Sequence, residues 1–326
     1  MLRPQNRPCV GVDLGGTNIQ AGVLDPKGKL LARAKVKTHA EDGVAAVIDR
    51  VVKAVSLAVD EAGLKIAQIG AMGIGAPGTI DIHKGLVVRA VNLRWTRVPL
   101  AQQLQKKLKM PVVVDNDANV AAWGEFRAGA GQGYRDLLAV WVGTGIGGGL
   151  VLNNEIYYGH GLSAGEIGHT VIMADAPLGR RTLENNASRT AVVNLLKQLI
   201  AAHHPSRVTK LVGDDLEAIR SKVLAKAVQM GDELTLQLLK KAAEYVGVAV
   251  ANCVTLLSLP CVVIGGGLSD SVGKMWVDGV RESFESRVFP PEMRCCRIVG
   301  SKLGDDAGIV GAALLTHDRL WKKLGK

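Results

Sequence analysis

Asp13-Leu-Gly-Gly-Thr-Asn18 sets a carboxylate beside two glycines, a hydroxyl and an amide. Gly15 and Gly16 allow backbone N–H groups to approach an anion, Thr17 and Asn18 add side-chain donors, and Asp13 can hold Mg²⁺ through water. Alone, the segment is still compatible with a plain hairpin turn. A second glycine-rich turn, Gly143-Thr-Gly-Ile-Gly-Gly-Gly149, shifts the balance, because two such turns facing each other across a cleft suit the phosphates of a nucleotide. Neither is a Walker loop, since no GK[ST] follows and neither runs directly into a clear helix. The first leads to a strand, which excludes a dinucleotide fingerprint.

Asp115-Asn-Asp-Ala-Asn119 follows a short apolar run. A carboxylate at the end of a buried strand can accept a hydroxyl proton, and phosphoryl transfer to an alcohol needs an oriented acceptor more than a strong base. Asp117 is the candidate. Capping of a helix starting near Ala118 is the competing reading, and it suits Asp115 even if Asp117 is functional. A further stretch, Ala164 to Glu184 (AGEIGHTVIMADAPLGRRTLE), carries three acidic residues, one histidine and two arginines in a span too irregular for one helix. It reads as a metal loop, a phosphate loop or a substrate grip.

The elements that must position these residues follow from periodicity. Residues 10–24 and 138–152 share one plan of strand, glycine-rich turn and strand, which suggests a duplicated domain with a ligand cleft between the halves. Asp42 to Ala62 has helical spacing with Asp42 as a possible N-cap, and Ile69 to Ile74 is a short strand. Leu100 to Leu108 is a second helix and Val112 to Val114 a buried strand. Glu233 to Leu259 is a long helix stopped by Pro260; Cys261 to Ile264 is a buried strand before the tight turn Gly265-Gly-Gly267. A final helix runs from Asp306 to about Leu324. The expected organisation is an α/β fold in two domains around a central cleft: 1–120, completed by the helix at 306–326, and 121–305.

Composition bounds the class. Hydrophobic residues make up 48% of 326, enough for a well-filled core, and aromatic residues only 4%, too few for a nucleic-acid stacking platform. The net charge of +10 is scattered; its densest groups, Lys106-Lys107-Leu108-Lys109 and Trp321-Lys322-Lys323, read as solvated helix faces. No nucleic-acid partner is expected. Five cysteines without CxxC spacing point to a reducing, cytoplasmic setting. No signal peptide and no membrane span is indicated.

Taken in order, Asp13-Leu-Gly-Gly-Thr17, Gly75-Ala-Pro-Gly-Thr-Ile-Asp81, Asn92-Leu93, Asn116-Asp-Ala-Asn119, Val142-Gly-Thr-Gly-Ile-Gly-Gly-Gly149, Glu166-Ile-Gly-His169, Gly265-Gly-Gly267 and Leu303-Gly-Asp-Asp-Ala-Gly308 resemble the motifs of the ROK family of sugar kinases and repressors. The resemblance spans roughly Val10 to Leu315. It implies a duplicated, ribonuclease H-like, actin-like ATPase fold whose domains close over a hexose and Mg·ATP. Carried over by position, it implies Asp117 as general base for the 6-hydroxyl of the sugar. Gly78, Asn92, Asn116, Glu166, His169 and Glu184 would bind the sugar. Asp13, Gly15, Gly16, Thr17, Asn18, Thr144 and Gly145 would face the phosphates, with Gly266 and Gly267 against the adenosine. A homodimer or tetramer is implied as well.

One departure concerns the loop at 164–184. Family members usually carry CxCGxxGC there, with a structural zinc; this chain reads Leu178-Gly-Arg-Arg-Thr-Leu-Glu184, without cysteine. Zinc needs about four Cys, His or carboxylate ligands, so zinc is expected to be absent. The loop then has to be braced by its shorter length, by Pro177, or by Arg180 or Arg181 paired with a carboxylate. Glucose is the expected substrate. N-acetylmannosamine, N-acetylglucosamine, fructose or allose, and polyphosphate as donor, stay open. A sugar-binding regulator without catalysis is the alternative of another class. A DNA-binding repressor ranks low, because Asp13 leaves no room for a preceding helix-turn-helix.

Overall fold

Runs rich in valine, isoleucine and alanine bounded by glycine, proline or aspartate set the strands of this protein, and longer stretches of 3.6-residue periodicity set its helices. A computed structural model describes residues 6–321. The first five residues, Lys322, Lys323 and the expected end of the last helix at Leu324 lie outside the described residues. The chain divides into two units, one formed by residues up to Gly133, Gly149–Ala164 and those from Asp305 on, the other by Tyr134–Gly148 and Gly165–Gly304.

In the first unit β1 (Cys9–Leu14), β2 (Asn18–Leu24) and β3 (Leu30–Lys37) form an antiparallel meander. Helix α1 (Val44–Glu61) leads to β4 (Ala71–Ala76); then come the small antiparallel sheet β5 (Thr79–Asp81), β6 (Leu86–Ala90), β7 (Trp95–Val98), helix α2 (Leu100–Leu108), β8 (Val112–Asn116) and α3 (Asp117–Ala128). The main sheet has the order β3-β2-β1-β4-β8, with β1, β4 and β8 parallel. Edge strand β3 alternates half-buried and exposed residues, whereas all of β4 is buried. Helix α1 begins two residues later than Asp42: Gly43, at φ 88°, is its N-cap, and the Asp42 carboxylate pairs with Arg50 instead.

The second unit opens with β9 (Leu137–Val142) and the start of β10 (Ile146–Leu152), up to Gly148; the rest of β10 and its hairpin partner β11 (Glu155–Ile156) fall in the first unit. Helices α4 (Leu183–Ala187), α5 (Arg189–Ala201), α6 (Thr209–Val212), α7 (Ser221–Gln229) and α8 (Glu233–Leu257) precede β12 (Cys261–Gly265). Helices α9 (Gly267–Val272) and α10 (Lys274–Glu285) and strand β13 (Arg297–Gly300) complete it; the sheet order is β11-β10-β9-β12-β13. Helix α8 is capped by Asp232, whose side chain accepts the Thr235 N–H at 3.1 Å, and it stops at left-handed Ser258, short of the expected Leu259.

The last helix, α11 (Ala307–Trp321), belongs to the first unit and packs on β1, β4 and α3 through backbone-close contacts. A Cβ at Gly11 would stand 1.8 Å from the Ile309 carbonyl oxygen, one at Gly73 2.0 Å from that of Ala312, and one at Gly311 1.6 Å from that of Val120. Only glycine permits these approaches.

Candidate active site

In the first unit the site residues sit at the carboxyl ends of parallel strands, where an α/β sheet leaves polar groups uncovered. Asp13 is the penultimate residue of β1 and Asp117 follows β8 directly. Strand β4 lies between them with Gly75, whose missing side chain matters: a Cβ there would be 3.1 Å from the Asp117 Cα. Burial of the Asp13 carboxyl, and next the nearby Asp117 charge, push its pKa up to about 7, with Lys35 opposing and Asp305 adding. The carboxyl is held deep although part of the residue reaches solvent.

The turn between β1 and β2 is closed by the Gly15 N–H donating to the Asn18 carbonyl at 3.0 Å, and the Thr38 hydroxyl donates to the Gly15 carbonyl at 2.7 Å. Gly15 therefore shapes the turn, and Gly16 and Thr17 form its exposed tip. A Cβ on Gly16 would lie 3.3 Å from the Asn92 Cβ, so Asn92 abuts the turn. Asn116, the N-cap of α3, accepts N–H bonds from Ala118 (2.9 Å) and Asn119 (3.2 Å) and donates its side-chain amide to the Gly78 carbonyl at 3.1 Å. Gly78, at φ 88°, has no room for a side chain, because a Cβ would fall 2.1 Å from the Arg89 carbonyl oxygen.

Capping was the alternative role considered for Asp115, and the cap is Asn116 instead. Asp115 is fully buried and bonded to Tyr158 at 2.6 Å and Arg319 at 2.5 Å. Sequence reading missed both partners, and they are remote along the chain.

In the second unit the Gly143 N–H donates to the Gly145 carbonyl at 2.9 Å, closing the turn between β9 and β10. Arg189, the first residue of α5, donates its N–H to the Gly143 carbonyl (2.9 Å) and its guanidinium to the Thr144 hydroxyl (2.5 Å). Sequence reading missed Arg189 too. Burial, then the charge of Arg220, lowers the Arg189 pKa, consistent with two cations gathered near this turn. The Gly266 turn lies against Val142, since β12 and β9 are parallel neighbours in register Gly265 to Trp141; a Cβ on Gly266 would be 2.7 Å from the Val142 nitrogen. Gly266, Gly267, Thr144 and Gly145 are thus brought to one edge.

Glu184 also reaches this turn. Its Oε2 accepts the Ile146 N–H at 2.7 Å and fills the space a Gly145 side chain would need. Glu166 and His169 stand at the two ends of a short 3-10 turn, their side chains 4.0 Å apart and exposed by 51% and 70%. A hydrogen bond from the Leu183 N–H to the Thr170 carbonyl at 3.0 Å links this turn to the start of α4.

The loop between them is braced by its own backbone. Val171 bridges Thr182, the Ile172 N–H donates to the Arg181 carbonyl at 2.9 Å, and the Asn186 side chain donates to the Arg180 and Thr182 carbonyls at 2.8 Å each. Among the described residues neither Arg180 nor Arg181 is paired with a carboxylate; Arg181 donates instead to the Ala176 carbonyl at 2.7 Å. Among the described residues no group of three or more His, Cys, Asp or Glu is placed to hold a metal ion, and no helix is long and apolar enough to cross a membrane.

Two units, each opening on an antiparallel hairpin with a glycine-rich turn and continuing into parallel strands and helices, define the actin-like ATPase fold. The chain belongs to the ROK family, whose model matches residues 9–319. It is 33% identical over 319 residues to the glucokinase of Halalkalibacterium halodurans, covering 96% of each chain. A crystal structure of a ROK family glucokinase from Streptomyces griseus, in complex with glucose and AMPPNP, superposes with a TM-score of 0.85 at 34% identity, covering 94% of this chain and 98% of that one. The ROK hexokinase from Thermus thermophilus gives 0.75 at 31% identity, over 94% and 97%.

Proposed function

We propose that this protein is an ATP-dependent hexose kinase that phosphorylates glucose on its 6-hydroxyl. The observation that carries the reading is the pair of carboxylates at the ends of β1 and β8, the strands that flank β4, with the Asp13 pKa raised to about 7 in part by Asp117. Asp117 opens α3, where the helix dipole favours a negative charge. Likeness to glucokinases and to a glucose-bound family member supports the choice of substrate.

In this reading Asp117 takes the proton of the 6-hydroxyl as that oxygen attacks the γ-phosphorus; the bond to the β-phosphate bridging oxygen breaks and ADP leaves. Gly78, Asn92, Asn116, Glu166, His169 and Glu184 hold the other hydroxyls, each of which both donates and accepts. Gly15 and Asn18 shape the first turn; Gly16, Thr17, Thr144 and Gly145 meet the phosphates, and Gly266 and Gly267 the adenosine. Asp13 fits a divalent cation, because a carboxyl held up by burial and a like charge gains from one. When bound, Mg²⁺ neutralises phosphate charge. The reading includes a cytoplasmic homodimer or tetramer, and domains of 1–120 with 306–326 and of 121–305.

A coupled ADP-release assay across glucose, fructose, allose, N-acetylmannosamine and N-acetylglucosamine, with ATP or polyphosphate as donor, tests it. Glucose with ATP should give the highest kcat/KM, Asp117→Ala should abolish turnover, and metal analysis should find no zinc. Hexose binding by calorimetry without any phosphoryl transfer would instead identify a regulator.

A further inference from the structure

Asp115 is a fully buried carboxylate two residues before the proposed base. Its Oδ1 accepts the Asn116 N–H at 2.6 Å and the Asn119 side-chain amide at 3.3 Å. Its Oδ2 accepts the Tyr158 hydroxyl at 2.6 Å and the Arg319 guanidinium at 2.5 Å. Arg319 also donates to the Tyr158 oxygen and lies 5.5 Å over its ring, so the tyrosine hydroxyl accepts from the arginine while donating to the aspartate. Burial raises the Tyr158 pKa far above its ordinary value, which keeps that hydroxyl a donor.

The helix that carries Arg319 is anchored at the residue before it. The neighbouring Asp318 accepts the Trp123 indole N–H at 3.1 Å and pairs with Arg127, both on α3. Helix α11 therefore grips α3 along its body through Asp318 and the end of β8, just before α3, through Arg319.

A buried ion pair is weak evidence for stability, since apolar residues of similar volume often do as well. What it supplies here is geometry, at the junction of β8 and α3 that carries Asn116 and Asp117. We propose that Tyr158 and Arg319 are positioning residues that act through Asp115 to orient the carboxylate of Asp117 toward the acceptor hydroxyl. This inference rests on the reading of Asp117 as general base.

Steady-state kinetics of Tyr158→Phe, Arg319→Met, Arg319→Lys and Asp117→Ala, with melting curves for each, test it. Tyr158→Phe keeps the ring and should lower kcat about tenfold, the scale of one lost hydrogen bond to a charged group. Its KM for sugar and ATP should stay within about twofold, its Tm should stay close to that of the wild type, and the acid limb of its kcat/KM profile should move. Arg319→Met should lose more, and Arg319→Lys, which returns a cation to Asp115, should recover part of the loss.

Activity that falls only with the folded fraction, leaving kcat per folded site and the acid limb unchanged, overturns the inference. Tyr158→Phe decides this even where Arg319→Met fails to fold. An inactive Asp117→Ala beside a Tyr158→Phe of wild-type kcat sinks the positioning role alone; an active Asp117→Ala sinks the base and this inference together.

Discussion

Glu184 Oε2 accepts the backbone N–H of Ile146 at 2.7 Å, so a residue proposed to grip the sugar also fixes the end of the second glycine-rich turn. Oε2 serves the turn, and in the proposed reading the other oxygen takes a hydroxyl of the sugar. Glu184→Gln keeps an acceptor for Ile146, so it should raise the KM for glucose while leaving that for ATP near its wild-type value. Glu184→Ala removes both roles and leaves a donor unsatisfied, at a cost of about 1–3 kcal/mol. It should therefore weaken both substrates, as initial rates with each varied in turn would read.

Asp13 sets a pH dependence. Its folded pKa of about 7 lies above its unfolded value, so the native state binds the extra proton between roughly pH 4 and 7. That contribution to stability is fully present below the unfolded pKa and is lost as pH rises through about 7. Thermal melts of the nucleotide-free protein from pH 5 to 8 should show this decline, and Asp13→Asn should flatten it. Mg·ATP favours the ionised carboxylate, so its KM should rise as pH falls below 7; a KM constant over that range argues against Asp13 as the metal-facing group.

Arg189 donates its guanidinium to the Thr144 hydroxyl at 2.5 Å, which occupies a lone pair and leaves the O–H to donate, in the proposed reading to a phosphate. Arg189→Met should raise the KM for ATP about tenfold, in line with the ~1.5–3 kcal/mol of a charged hydrogen bond. The glucose KM should hardly change. Equal loss for both substrates would mean that the turn itself has collapsed.

Gly311→Ala tests the seam between α11 and α3. The new Cβ would stand 1.6 Å from the Val120 carbonyl oxygen, a backbone atom that cannot rotate away. Overpacking costs about 1–3 kcal/mol, and a backbone clash belongs at the upper end. A Tm within a degree of wild type would refute the packing described.

Much of the fold is readable along the chain because the signals are local. The repeated strand–turn–strand plan around Gly15 and Gly145, the apolar run before Asp115 and the helical spacing of Leu100 to Leu108 all depend on neighbours a few residues apart. Errors fell where two local signals compete. Asp42 is a good N-cap by type, yet Gly43 reaches a backbone angle that lets the helix start after it and frees Asp42 for Arg50.

The residue types of the candidate site, from Asp13 and Asp117 to Glu166, His169 and Glu184, were determined by the sequence, because the chemistry of a carboxylate or a glycine turn is carried by the residue itself. Only the tertiary structure decided their partners. Nothing near Asp115 in sequence announces Tyr158 or Arg319, 43 and 204 residues away. Nothing near Thr144 announces Arg189, and the loop lacking cysteines is braced by backbone bonds to Arg180, Arg181 and Thr182 rather than by a pair of charges. The physical reason is that a buried polar group must be satisfied by whatever donor packing brings within about 3 Å, and packing is a property of the whole fold.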